Sequence, residues 1–187
     1  MAYNAKKAAQ VIAYFAAKTA TKRIEIIKVI KLVYLADRES IRTSGFPIID
    51  EDRFSMPHGP VNSMTYRHIQ GEFDLSDCGW SDFLRDRSNH QVSVKHDAPS
   101  DWDELSEAEI ACLDQVWSDF GQMGQWEIRN WTHDSANVPE WEDPNGSSQI
   151  IPIERIMMAV GIDNHGEQAR EIRSLNAAQR VFDEIKA

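Results

Sequence analysis

The sequence predicts a mainly α fold: one compact helical bundle of about six or seven helices with a small antiparallel β-hairpin or three-stranded sheet. Three observations carry this. Apolar residues recur three and four apart over long stretches, as at Ala8, Val11, Ile12 and Phe15, which places them on one helical face. Ser106 and Glu109 stand at capping-box spacing between Leu105 and Ile110, a helix start specified by side-chain hydrogen bonds and a hydrophobic staple. Residues 72–98 lose the helical period, and there Val92 and Val94 alternate with Ser93 and Lys95, as a half-buried strand requires. A length of 187 residues suits one core, so residues 1–187 are read as a single domain.

The elements follow in order. Residues 4–18 predict a first helix in an Ala/Lys-rich background. From Lys22 to Arg42 the run Ile24, Ile26, Ile27, Val29, Ile30, Leu32, Val33, Tyr34 and Leu35 is apolar on most sides. It is too long for a strand and is interrupted by Lys28 and Lys31, so it predicts a central helix buried on several faces. Thr43-Ser44-Gly45-Phe46-Pro47 ends that helix, and residues 46–49 predict an extended connector. In Met56-Pro57-His58-Gly59-Pro60-Val61, Gly59 can take positive φ and Pro60 presets φ for a first helical residue. The helix predicted there carries Val61, Met64, Thr65, His68 and Ile69 on one face.

Further on, Trp80, Phe83 and Leu84, then Val92 and Val94, flank the polar residues 85–90 as a hairpin, to which Arg53–Met56 can add a third strand. Ser106 opens a helix with Ile110, Leu113, Trp117 and Phe120 on its apolar face and Gly121 as its stop. Residues 124–134 predict a tryptophan-rich helix. Between Ser135 and Ile151 no periodicity survives Pro139, Pro144 and Gly146, and a loop that long in a compact domain is usually functional or mobile. Pro152 starts a helix ended by Gly161, and residues 165–186 predict a last helix with the stripe Ile172, Leu175, Ala178, Phe182 and Ile185.

The net charge of −10 conceals a polarity. Residues 1–49 carry nine Lys/Arg against three Asp/Glu, whereas residues 97–143 carry thirteen Asp/Glu against Arg129 alone. Such an acidic stretch either steers a basic partner or serves only as a solvated face. The acidic balance argues against general nucleic-acid binding, and Lys18, Lys22, Arg23, Lys28 and Lys31, which a DNA-binding helix would use, lie in or beside the apolar run. No apolar run approaches the roughly 20 residues that cross a bilayer, and the start of the chain shows no cleavage site. A cytoplasmic protein without membrane contact is expected. Cys78 and Cys112 do not make a disulfide framework, and the six histidines show no His-x-x-x-His pair. Without these, and without a glycine-rich phosphate loop, neither a metal nor another cofactor is expected.

The order of several motifs is informative where none is specific alone. An apolar helix containing Lys31-Leu32-Val33-Tyr34-Leu35-Ala36-Asp37 is followed by Gly45-Phe46-Pro47-Ile48 and then His58-Gly59-Pro60-Val61. Later come Leu105-Ser106 with Glu109, Trp131-Thr132-His133, Trp141 and Pro152-Ile153. This order resembles the Panacea, or SocA-like, antitoxin domain family and its phage-associated relatives. The resemblance covers about residues 8–160 and leaves 161–187 as a C-terminal helix. His133 and Trp141 stand eight positions apart, where many members place a Pro-Trp pair sooner. The resemblance implies a mainly α-helical, non-enzymatic domain that neutralises a co-encoded protein toxin by direct contact. It also implies an alternative, an adaptor that hands its toxin to a cellular ATP-dependent protease. Homo-oligomerisation stays open.

The candidate site lies in the second half. Trp126, Arg129, Asn130 and His133 have spacings that let them share a helix side. His133-Asp134 suggests a general base with its carboxylate, the basis of an alternative hydrolase reading. Adjacent residues point apart on a helix, however, and no Ser or Cys sits in a nucleophile motif, so no catalytic residue is assigned. Trp141 lies among Pro139, Glu140, Glu142 and Asp143, an aromatic anchor with a charged rim or else a core-filling pin for the loop. The partner surface is therefore expected at Trp126, Arg129, His133, Trp141, Glu142 and Asp143, with His58, Gly59, Pro60 and Val61 as a structural motif.

Overall fold

The apolar run becomes helix α2 (Ile26–Ser44), and the other elements wrap around it. The structure, a computed structural model, describes residues 3–99 and 101–186, and the side chains among these except 179, 180 and 182–186. Helix α1 (Ala5–Ala17) begins at Asn4, whose side chain accepts from the Lys7 amide, and buries Val11, Ile12 and Phe15. The capping box at Ser106 opens α5 (Glu107–Phe120). α6 (Gln125–Thr132) follows and ends on His133. Both pack on α2, where Val29, Leu32, Val33, Leu113 and Ile128 join the α1 residues in the main core.

Two three-stranded antiparallel sheets complete this half. In the first, β1 (Arg23–Glu25) pairs with β5 (Gln91–Val94), which pairs with β4 (Leu84–Ser88). The predicted hairpin is thus present, closed by Asn89 and His90 at φ 51 and 60, the two positive φ values of the hairpin turn that matches strand twist. Its third strand is Arg23–Glu25, at the predicted start of the central helix. Ile24 opposite Val92 is buried in the sheet, and cross-strand pairing overrides the helical reading of Lys22–Glu25. Trp80–Phe83 forms a single helical turn, α4, ahead of β4.

The second sheet corrects the reading of the Pro-Gly-Pro corner. Arg53–Met56 does form a strand, β2, but it pairs with β3 (Gly59–Asn62) and with β6 (Gln149–Ile151). Pro60 sits within β3, and helix α3 (Ser63–Gln70) begins three residues later. The corner is a hairpin turn. Proline is tolerated there because β3 is an edge strand, where a ladder donor is dispensable. The last three residues of the long aperiodic loop supply β6, so that loop is anchored at its far end.

A smaller core forms on the other side of α2, from Tyr34 and Ile41 with Val138, Ile151, Ile156, Met157, Ala169 and Ile172. It is roofed by α7 (Ile153–Ala159) and α8 (His165–Lys186). Leu175 of the predicted stripe is exposed; Phe182 and Ile185 lie outside the described side chains.

Polar groups are buried between these layers. Asp37 of α2 accepts from the Ile49 amide at 2.9 Å, from Arg53 Nη2 at 2.7 Å and from Asn62 Nδ2 at 2.7 Å. Arg53 also donates to the Glu51 and Ile49 carbonyls. The network ties the 46–49 connector and the second sheet to the central helix, and its cost of burial is offset because each charge is both paired and hydrogen-bonded.

Candidate functional site

The site is built where the β2–β3 hairpin meets the ends of α2 and α6. Gly59 has φ +91, and a Cβ there would meet His133 Cδ2 and Lys31 Nζ, each at 2.9 Å. Glycine is what allows the hairpin to approach both helices. Lys31, wholly buried, donates from Nζ to the Pro60 carbonyl at 2.9 Å. Burial, aided by the nearby Arg129 charge, pushes its ammonium pKa down to about 7.

His133 caps α6, and its ring stacks on Trp141 with centroids 4.5 Å apart and planes 12° from parallel. Trp141 Nε1 donates to the Met56 carbonyl at 3.2 Å, and the Glu142 amide donates to Ser55 Oγ at 3.3 Å. The long loop is thereby pinned to the hairpin. Burial lowers the His133 pKa, with Arg129 acting in the same direction and the His58 backbone opposing. Arg129 Nη2 donates to His58 Nδ1 at 3.5 Å. Arg129 Nε and His133 Nε2 are buried without a hydrogen-bond partner among the described residues.

The sequence-predicted residues therefore divide. Arg129, His133 and Trp141 converge on His58, Gly59 and Pro60. Trp126 stands about a turn earlier on α6, 59% exposed. Glu142 is exposed and pairs with Arg155, while Asp143 accepts from the Asn145 amide within its own loop. His133 and Asp134 do not form a dyad: Asp134 is exposed and accepts from the Ala136 amide.

Sequence reasoning missed the buried polar side chains of α2. Tyr34 donates to Glu140 Oε1 at 2.8 Å, and Arg38 Nε bonds the same oxygen at 2.7 Å. Glu140 thus fastens the loop beside Trp141. The signal was available: Lys31, Tyr34 and Asp37 recur every three residues in a helix apolar on most sides, and polar groups in such a helix need buried partners.

Part of the charge polarity of the sequence is satisfied inside the molecule. Lys6 pairs with Asp103 at 2.6 Å, Lys7 with Glu109 at 2.6 Å and Lys18 with Asp114 at 2.6 Å, so the acidic stretch docks along α1. Lys28 Nζ donates to the Gly121 carbonyl at 2.7 Å. Beyond the corner, an apolar cleft of about 490 Å³ opens between the start of α2, the hairpin and Trp126. Among the described residues no group of three or more His, Cys, Asp or Glu side chains gathers as a metal set, and no helix is long and apolar enough to cross a membrane.

A family model described as the SocA-like antitoxin, Panacea domain, matches residues 29–142, well over half of the chain. The chain belongs to the SocA-like antitoxin family. The matched segment runs from α2 through Glu142, so it contains the Lys31 contact, the hairpin, α6 and Trp141. No curated protein and no solved structure matches the chain. Membership in the SocA-like family supports an antitoxin role, a toxin as the general kind of partner and a non-enzymatic mode of action.

Proposed function

We propose that this protein neutralises a co-encoded protein toxin by binding it directly, through the face formed by α6 and the loop after it. The observation that carries the reading is Trp126: a large aromatic, 59% exposed, on a helix whose other side buries Ile128 and Thr132. Rigidly mounted aromatic side chains lose little entropy on contact and dominate binding energy at interfaces. Arg129 and His133 continue this surface toward the hairpin. Trp141, Glu142 and Asp143 extend it along a loop whose backbone is already ordered, which lowers the cost of association.

The test is co-expression with the product of the adjacent gene. Growth should be restored by the wild-type chain and the two products should co-purify. Trp126→Ala should weaken the complex at least tenfold. Unchanged binding in both Trp126→Ala and Trp141→Ala would remove the assigned surface.

Delivery to a protease is the second reading, favoured by α8, which exposes Leu175 near its middle and Val181 in its last turns. Its test is toxin half-life in cells with and without their ATP-dependent proteases. Neutralisation that is equal in both backgrounds excludes delivery.

A further inference from the structure

The cleft beside Trp126 has a chemistry opposite to that of the chain as a whole. Its interior is apolar: Ile30 and Val61 are buried, and Ile27 and Tyr66 are half-buried along its wall. At its rim stand His58, Arg87 and Trp126. In a chain with ten more acidic than basic residues, no Asp or Glu among the described residues lines this cleft. Two carboxylates of flanking elements are engaged elsewhere: Glu25 and Glu127 act on Lys28, and Glu127 also accepts from the Gly124 amide.

Among the described residues, neither Arg87 on the cleft wall nor Arg129 beside His58 has a carboxylate partner. Arg87 Nη1 is bonded to the Gln70 amide oxygen at 2.5 Å. Arg129 is bonded to Asn130 Oδ1 at 2.9 Å and to His58, and its buried Nε has no partner among the described residues. Behind them lie Lys31 and His133, whose charged forms are disfavoured first by burial and then by the Arg129 charge. Guanidinium groups without a counter-charge favour an incoming anion and match carboxylates in geometry. An apolar pocket rimmed by such groups suits an occupant that is apolar in the middle and acidic at its edges.

We propose that this cleft receives an apolar segment of the partner protein flanked by carboxylates, with the apolar side chain entering between Ile27, Ile30 and Tyr66 and the carboxylates meeting Arg87 and Arg129. Trp126 closes over the inserted side chain. The proposal rests on the reading of the chain as a protein-binding antitoxin and states which part of the partner it holds.

The test uses the full chain and three acetylated, amidated peptides, with binding followed by calorimetry and tryptophan fluorescence. The sequences are Asp-Glu-Leu-Phe-Glu-Asp, its amide counterpart Asn-Gln-Leu-Phe-Gln-Asn, and Asp-Glu-Gly-Gly-Glu-Asp. The first should bind about tenfold tighter than either of the others, from the loss of one charge-assisted contact set or of one buried side chain. Arg87→Glu lies on an exposed strand position and preserves the fold; with Arg129→Gln it should abolish the preference for the acidic peptide. Trp126→Ala should abolish binding of both Leu-Phe peptides. Equal affinity for the acidic and amide peptides overturns the proposal, as does binding of none. Decanoate binding tighter than every peptide also overturns it, because the cleft would then be a small-carboxylate site. In cells, full neutralisation by Arg87→Glu overturns the cleft assignment and leaves the antitoxin reading intact. Failure of the wild-type chain to neutralise its neighbour overturns the antitoxin reading, while the peptide comparison still reports on the cleft.

Discussion

Replacing Lys31 by Met should change the sign of its effect on stability with pH. The lysine is wholly buried and donates to the Pro60 carbonyl. Holding its pKa at about 7 rather than 10.5 disfavours the charged form by roughly 5 kcal/mol, taking about 1.4 kcal/mol per tenfold change in proton affinity. Between these two values the unfolded chain keeps the proton and the native chain does not. Native stability therefore rises with pH across that window, and below about 7 the full cost remains. Met fills a similar volume without charge but leaves the Pro60 carbonyl unpaired, which costs about 1–3 kcal/mol. Lys31→Met should thus be more stable than the wild type by roughly 2–4 kcal/mol at pH 6 and less stable by about 0–2 kcal/mol at pH 10, where about 1 kcal/mol of the lysine's cost remains. Urea unfolding of both proteins at half-unit pH intervals gives the difference directly, since other titrating groups cancel in it. A difference that does not vary from pH 6 to 10 would refute the account of Lys31 as a buried, uncompensated cation.

Glu51 gives the opposite slope. Burial raises its pKa from 4.5 to about 7 against the opposing Thr65 hydrogen bonds, so the native chain holds its proton in that window and loses stability as pH rises. Relative to Glu51→Gln, the wild type should lose roughly 3 kcal/mol between pH 4 and 8 in the same unfolding assay. Asp37→Ala strands the buried Arg53 guanidinium and should cost about 3–5 kcal/mol, read from the urea midpoint. Gly59→Ala combines a positive φ with contacts to Lys31 and His133 at 2.9 Å; a loss of about 2–4 kcal/mol is expected, more than the 1–2 that backbone handedness alone demands.

What the sequence revealed follows the range of the interactions involved. The α5 start was legible because Ser106, Glu109 and their neighbours interact within four residues, and the structure shows both capping bonds. The 89–90 turn and the stop at Gly45, with φ +80, are equally local. Arg23–Glu25 misled because its strand identity depends on residues 91–93, nearly seventy positions away. Pro60 misled in a different way: its helix-start signal competes with an equally local hairpin pairing to Ser55, and the bond from Lys31, twenty-nine positions away, holds the strand in place. At the site, helix spacing located Arg129 and His133 on one side of α6. It gave no means of knowing that Trp141 would stack on His133, or that Glu140 would be drawn inward by Tyr34 and Arg38.

Charge bears on how a partner is chosen. The acidic stretch left open a face that attracts a basic protein or one that is only solvated, and four of its carboxylates are held by lysines in and just after α1. Such exposed pairs add about 0–1 kcal/mol each to stability, but they flatten the local field. What remains is a long-range repulsion of acidic molecules by a net charge of −10 and a short-range attraction at Arg87 and Arg129. Salt separates the two, because screening removes interactions beyond about 8 Å at physiological ionic strength and spares desolvated contacts. For the acidic Leu-Phe peptide, raising salt from about 20 to 150 mM should therefore speed association by relieving repulsion, while dissociation accelerates less. Stopped-flow fluorescence at Trp126 measures both rates. An association rate that falls over this range would show that the cleft's cations reach past the screening length and outweigh the total charge, and the division between distant repulsion and local capture would fail.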